Sequence, residues 1–253
     1  MRNNVKSNLV SDLDTKVKLR WNISVLGVIA IIFLAEMDSL LQNNLTMYEL
    51  PNNYHTILII NALQSKAVRA LAPILATLPF SASYIEELET KFVRFFLVRS
   101  GYTAYILNRI TICYILGGNI FVIGSILAWQ IATVIFLPFE ITALETASDT
   151  VSLAKNILLL GLNGGLWSTI GMTISTIMES KYIAYASPFI VYYLLVILYE
   201  RYFPNAWLLY PKNWLDPEVW PYGVGSAALF LLELTFLCGL VFYIRGKRRL
   251  EQL

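Results

Sequence analysis

The sequence has a single histidine, His55, and only two cysteines, Cys113 and Cys238, among its 253 residues. Histidine-based metal sites need more histidines than this chain has, and a Ser–His catalytic dyad needs a serine motif that it lacks. Both cysteines fall inside apolar runs, so the sequence indicates neither a disulfide framework nor a metal site. It also has no Walker A pattern, the glycine-rich loop and lysine that hold nucleotide phosphates. We therefore expect a protein that is not an enzyme and that cannot hydrolyse ATP by itself.

Charge is scarce as well. Charged residues make up 14% of the chain and hydrophobic residues 57%, and the mean hydropathy is +0.60. Several runs approach the roughly 20 apolar residues that cross a bilayer as a helix. The net charge of +2 is too small to suggest a nucleic-acid partner. The composition predicts an all-α, polytopic membrane protein, with residues 1–253 in one domain.

Six segments are predicted to cross the membrane as helices. They are Trp21–Leu41, Thr56–Phe80, Tyr102–Phe136, Val151–Ile177, Ile183–Leu198 and Val224–Ile244. The third is longer than a bilayer requires, so it is either tilted or broken. The polar N-terminal segment, residues 1–20, is too long and too acidic for the start of a signal peptide, so we expect the first span to be retained.

Basic residues indicate how these spans are oriented. They precede span one, surround the loop after span two, follow span four and end the chain: Arg2, Lys6, Lys16, Lys18, Arg20, Lys91, Arg94, Arg99, Arg109, Lys181, Arg245, Lys247, Arg248 and Arg249. The opposite side offers only Lys155, Arg201 and Lys212. The positive-inside rule therefore predicts that both termini, including the tail 245–253, lie in the cytoplasm.

One charged, amphipathic segment lies between spans two and three. Ser83 and Glu86 have the spacing of a capping box, in which the serine oxygen and the glutamate satisfy free backbone N–H groups. One helical face then carries Ile85, Leu88, Phe92, Phe95 and Arg99. The pattern predicts a helix over residues 83–99 that lies along the membrane surface or against a partner. An ordinary interfacial helix and a helix with a dedicated function both remain open.

Lys66 and Arg69 are predicted to lie within span two, on one helical face, where charge is costly. Glu233, in the middle of span six, is the best candidate to pair with them, and Glu36 and Asp38 near the outer end of span one are the others. Such a pair would either fix helix packing or line a translocation path. A third interpretation is that the boundaries of span two are misplaced and that Lys66 is exposed.

Two further patterns have more than one interpretation. Gly161 and Gly165 form a small-xxx-small face, which serves either packing within the chain or a dimer interface. The loop 199–222 on the outer side is rich in tryptophan, tyrosine and proline, which predicts short interfacial or re-entrant pieces. This loop is either an aromatic belt or a lid over a substrate exit.

The segment from Leu75 to Ile110 resembles the first cytoplasmic region of type-2 ABC transporter permeases, the exporter-type membrane subunits that lack their own ATPase. The similar features are a Leu-Pro-Phe end to span two, a Ser-Tyr-x-Glu-Glu start to the helix, a basic-aromatic second half ending in Arg99, and a Tyr105-to-Arg109 start to span three. The six-span plan fits as well, and the segment Trp214 to Pro221 is similar to outer-loop segments in small members. The pair Lys66 and Arg69 departs from this family's plan.

The resemblance implies that residues 83–99 form a coupling helix, which sits in a groove of an ATP-binding subunit. The residues carried over to this role are Tyr84, Glu86, Glu87, Lys91, Arg94 and Arg99. It also implies two permease chains, the same or related, in a bacterial cytoplasmic membrane, with ATP and magnesium bound in the partner subunit. Peptides, other antimicrobials and lipidic compounds all fit the substrate class. A non-transporting immunity or scaffolding protein is the alternative hypothesis.

Overall fold

The computed structural model describes residues 2–37, 50–90, 93, 97, 101–140, 147–216 and 219–252. These residues form eight α-helices and no β-strand, which confirms the all-α prediction for the part of the chain they cover. The helices are α1 (Arg2–Ala35), α2 (Tyr54–Gln64), α3 (Lys66–Thr77), α4 (Ser83–Glu89), α5 (Tyr102–Phe136), α6 (Ala147–Met178), α7 (Lys181–Ile197) and α8 (Val224–Leu250).

Five of these helices, α1, α5, α6, α7 and α8, are long and apolar enough to cross a membrane. Helices α2 and α3 make a sixth span only if the two, which are bent by 67° at their junction, are counted together. The described part of the chain therefore has five or six segments that could cross a membrane, which is consistent with a multi-pass membrane protein. The predicted number of six depends on how the bent pair is counted.

Two of the predicted spans are parts of longer helices, and a third is a single unbroken helix. Helix α1 begins at Arg2, so residues 2–20 of the polar segment are helical and continuous with the first span. The last predicted residues of that span, 38–41, lie outside the described residues. Helix α5 is one unbroken helix of 35 residues, about 52 Å long, so of the two predicted alternatives it is not broken. Helix α8 continues to Leu250, so most of the predicted tail 245–253 is helix.

The span predicted at Thr56–Phe80 is not one continuous helix, because the helix breaks at Ser65. This residue has extended backbone angles, with φ −63° and ψ 154°, which interrupt the helical hydrogen bonds. Its hydroxyl oxygen accepts a hydrogen bond from the backbone N–H of Val68 at 3.2 Å and so caps the start of α3. Lys66 is the first residue of α3 and is exposed, as the third interpretation of this residue predicted.

Helix α6 lies at the centre of the bundle, in contact with α2, α3, α5, α7 and α8. Glycines allow α5 to approach it closely. A Cβ atom on Gly118 would lie 2.7 Å from the carbonyl oxygen of Gly161, and one on Gly164 would lie 2.7 Å from that of Gly117. Gly161 and Gly165 are buried within this single chain. Of the two uses predicted for the small-xxx-small face, packing within the chain is the one observed.

The aromatic loop between α7 and α8 folds back into the bundle. It contains two short 3₁₀ helices, Trp207–Leu209 and Pro211–Leu215. The ring of Trp214 stacks on that of Trp167 in α6, with centroids 5.7 Å apart. Trp167 lies eleven residues, or about 16 Å along the helix axis, before Met178, the last residue of α6. The loop therefore reaches well into the helical layer. These short inserted pieces match the re-entrant structure that the composition predicted.

Replacing Gly118 by leucine should destabilise the bundle, because the new side chain would meet the backbone of α6, which cannot move away by changing rotamer. Overpacking of this kind costs about 1–3 kcal/mol. The control is Gly225→Leu in the first turn of α8, where a Cβ atom has nothing within 4 Å. Thermal unfolding in detergent should show a lower midpoint for Gly118→Leu only. Equal midpoints for the two variants would contradict the close approach of α5 and α6.

Candidate functional site

Helix α4, the first part of the predicted coupling helix, lies at the end of the bundle that carries Arg20, Arg109, Lys181 and Arg249, here called the basic end. Arg249 in α8 pairs with Glu179 at 3.2 Å and donates to the carbonyl oxygen of Thr176. The three carboxylates of α4 each meet a different helix. The ion pairs of these three carboxylates are the most extensive set of polar contacts that the described residues form at the basic end.

Glu86 forms an ion pair with Arg20 of α1, with an N–O distance of 2.9 Å and a second contact at 3.4 Å. The predicted capping box of Ser83 and Glu86 is therefore wrong. The residue before the helix is Ala82, whose side chain cannot cap, and the hydroxyl of Ser83 is buried with no partner among the described residues. The glutamate reaches the guanidinium rather than the backbone because a charged donor forms the stronger hydrogen bond.

Glu87 points into the protein. One of its carboxylate oxygens lies 2.5 Å from Arg109 of α5, and the other accepts a 2.5 Å hydrogen bond from the hydroxyl of Tyr105. The side chains of Glu87 and Arg109 are only 10% and 11% exposed. Burial raises the pKa of Glu87, whereas the Arg109 charge and the Tyr105 hydroxyl oppose that shift. Two donors from one helix thus hold this carboxylate in place.

Glu89 makes the third ion pair, at 3.1 Å from Lys181 at the start of α7. This pair is open to solvent, with side-chain exposures of 49% and 37%. Exposed pairs of this kind contribute little to stability. The three ion pairs of α4 therefore differ: the link to α5 is buried and strong, the link to α1 is half-buried, and the link to α7 is weak.

Tyr84 is fully buried and connects α4 to α8. Its ring packs edge-on against Phe242, with centroids 5.0 Å apart, and lies near the ring of Tyr105. Burial raises the pKa of Tyr84 to about 12. Its hydroxyl has no hydrogen-bond partner among the described residues and lies close to Gly246. Tyr84 therefore packs within the chain and does not present its ring at the surface.

The second half of the predicted helix is described only in part. Val93 and Leu97 are helical; Val93 is fully buried and Leu97 is partly buried in the same apolar cluster as Tyr84 and Ile85. Lys91, Arg94 and Arg99, which the sequence also assigned to the coupling role, lie outside the described residues.

The structure does not bring Lys66, Arg69 and Glu233 together, so the predicted pairing with Glu233 is wrong. Arg69 instead donates to the backbone carbonyl of Lys212 at 3.1 Å, which fastens the inserted aromatic loop to α3. Glu233 is exposed on α8 among leucine and phenylalanine side chains. The break at Ser65 is the physical reason for this separation, because it turns α3 away from the direction of α2.

Sequence reasoning missed the partners of α4. Tyr105 and Arg109 are four residues apart in α5 and therefore lie on one face, a spacing that could have indicated a shared acceptor. It also assigned no partner to His55. This ring is buried at the other end of the bundle, 2.7 Å from a carboxylate oxygen of Glu140.

The polar side chains of these clusters form ion pairs and hydrogen bonds between helices, which is typical of contacts that hold a structure together. No group of three or more histidine, cysteine or acidic side chains in the described residues could hold a metal ion. Comparisons with protein-family models, with curated proteins and with solved structures find no match to this chain. Inferences about its function therefore rest on the resemblance of residues 75–110 and on the contacts of α4.

Removing one partner of the buried ion pair between α4 and α5 should lower the stability of the protein far more than removing both partners. Arg109→Met leaves the carboxylate of Glu87 buried without a cation, and such a change costs about 3–5 kcal/mol. The double variant Glu87→Gln with Arg109→Met removes both charges and should recover a large part of that loss. Thermal unfolding in detergent measures both effects.

The matched control for this comparison is the exposed pair on the same helix. Glu89→Gln with Lys181→Met should leave the unfolding midpoint nearly unchanged, since both side chains are in contact with solvent. A double variant at Glu87 and Arg109 that is less stable than Arg109→Met would contradict the buried ion pair.

Arg69→Met should loosen the inserted loop, because the carbonyl of Lys212 loses its charged donor. Loss of about 1 kcal/mol raises the population of an open loop about fivefold, and proteolysis follows that population. We expect trypsin to cleave after Lys212 about fivefold faster, as measured by mass spectrometry. Lys66→Met, at an exposed position on the same helix, should leave the rate of cleavage unchanged. Equal rates for both variants would contradict the role of Arg69 in holding the loop.

Proposed function

We propose that this chain is the membrane-spanning permease subunit of an ABC exporter in a bacterial cytoplasmic membrane. ATP and magnesium would be bound by a separate subunit, and both termini of the permease would face the cytoplasm. The observation that carries the proposal is the set of contacts from α4: Glu86, Glu87 and Glu89 each bind a cation of a different spanning helix. The resemblance of Leu75 to Ile110 to type-2 permeases supplies the family.

The geometry of α4 suits a helix that transmits a force. A partner pressing on α4 would move α5 with it, because the Glu87–Arg109 pair is buried in a medium of low dielectric, where the attraction is strong. The exposed Glu89–Lys181 pair can break at little cost, so α7 need not follow. In this proposal α4 and α5 move as one unit against α7, and the spans change between inward- and outward-facing arrangements.

The proposal also divides the residues of this segment into those that anchor α4 and those that meet the ATPase. Glu87 and Tyr84 are buried within the chain, so their proposed part is to anchor α4. Contact with the partner then falls to Lys91, Arg94 and Arg99, and to the exposed side of α4 near Glu89. A second permease chain, the same or related, and membrane lipid complete the proposed surroundings.

Purification of the tagged chain from its native cell in mild detergent, followed by mass spectrometry, tests the proposal. An ATP-binding subunit in stoichiometric amount is the expected result. Recovery of the chain alone, repeated after chemical crosslinking, would overturn the proposal and favour the alternative of a non-transporting immunity or scaffolding protein.

Lys91→Ala with Arg94→Ala should reduce recovery of the ATP-binding subunit at least about tenfold, because charged groups at such an interface orient the partner and suppress wrong pairings. The matched control is Arg245→Ala with Arg248→Ala, which removes the same charge from exposed positions at the basic end. Recovery should be unchanged in the control. Equal recovery from both double variants would contradict the coupling role of residues 83–99.

A further inference from the structure

Glu233 occupies an unusual position. It lies nine residues after Val224, the start of α8, which places it about 14 Å along a helix that is apolar as far as Ile244. This is close to the middle of a hydrocarbon layer of about 30 Å. Its side chain is exposed, and it has no hydrogen bond or ion pair among the described residues. A carboxylate in such a place is costly and marks a functional site by default.

The surroundings of Glu233 form a groove rather than a flat face. Leu232 and Phe236 line both the hollow next to Glu233 and a larger one between α5 and α8, so the two hollows lie side by side. The larger hollow has a volume of about 590 Å³, within the range of small-molecule pockets. Gly239 lies in its wall, where an added Cβ atom would be 3.5 Å from the side chain of Ile110 of α5.

The lining of the groove is apolar and aromatic. It includes the rings of Tyr114, Phe236 and Tyr243, together with Leu107, Ile110 and Leu240. Aromatic faces attract cations as well as apolar groups. The hydroxyl oxygen of Tyr114 is buried, so the groove meets the ring of this residue rather than its polar end. A ligand that fits it must be hydrophobic over most of its surface and must carry one positive charge for Glu233.

We propose that the groove between α5 and α8 binds a hydrophobic monovalent cation, with Glu233 as its counter-ion and Phe236 and Leu240 as its apolar contacts. The role of this site rests on the proposed function, because the ligand would be a substrate of the exporter. The binding itself requires no ATPase. A second copy of the chain could cover the same face, and the experiment below distinguishes that occupant.

The probe is tetraphenylphosphonium, and the protein is the full chain in nanodiscs of phosphatidylcholine, with binding measured by equilibrium dialysis. We expect saturable binding of one cation per chain and at least a tenfold loss of affinity in Glu233→Gln. Glu251→Gln, which removes an exposed carboxylate at the basic end of the same helix, should bind as the wild type does. Equal affinity of Glu233→Gln and the wild type would overturn the proposal.

Two further measurements separate charge from shape. Tetraphenylborate has the same shape and the opposite charge, and its uptake by the nanodiscs should not fall in Glu233→Gln. Thr111→Phe, at an exposed position of α5 in the groove, should weaken tetraphenylphosphonium binding by filling the space while Glu233 is intact. Unchanged cation binding by Thr111→Phe would place the ligand elsewhere and overturn the proposal.

A crosslinking experiment tests whether a second copy of the chain, rather than the cation, occupies the groove. Leu237→Cys, in a chain with Cys113→Ser and Cys238→Ser, places one thiol beside Glu233. Efficient disulfide dimers together with an absence of tetraphenylphosphonium binding would assign the groove to a second copy and overturn the ligand site. The proposed exporter function would then still stand if the ATP-binding subunit co-purifies, so the two proposals fail separately.

Discussion

The buried ion pair between Glu87 and Arg109, completed by the hydroxyl of Tyr105, is the contact on which the basic end of this protein depends. It fixes a helix of only seven residues, Ser83–Glu89, which is too short to be stable without tertiary contacts. Once α4 is fixed, Glu86 reaches Arg20, Glu89 reaches Lys181 and the ring of Tyr84 packs against Phe242. A short helix thereby contacts four spanning helices.

The other end of the bundle depends on a different constraint, the bend of 67° at Ser65. Turning α3 away from α2 brings Arg69 to the backbone of the inserted loop at Lys212. The loop then fills the interior with Trp214, whose ring stacks on Trp167 in the central helix. Aromatic side chains that prefer a membrane interface by themselves are buried here because their indole N–H groups find carbonyl partners, Leu208 for Trp214 and Asn213 for Trp220.

Long apolar runs were the part of the fold that could be predicted. The bounds of α5, Tyr102–Phe136, agree with the predicted third span, because length and hydropathy alone decide whether such a helix can cross a membrane. The break at Ser65 could not be predicted, since serine is tolerated in helices and its extended conformation is stabilised locally by a cap to Val68. At the candidate site, the helix over residues 83–89 was predicted. The inward direction of Glu87 and the way in which the helix begins were not predicted.

By itself, the sequence determined that the chain is helical, that it is suited to a membrane, and that an amphipathic segment follows the second apolar run. These properties follow from composition and periodicity, which act over neighbouring residues. The tertiary structure decided the partner of each charge: Glu86 binds Arg20 across 66 positions of the chain, Arg69 binds a loop 143 positions away, and Glu233 stays exposed. The physical reason is that the energy of a charge depends on its burial and its nearest opposite charge, and both are set by helices distant in sequence.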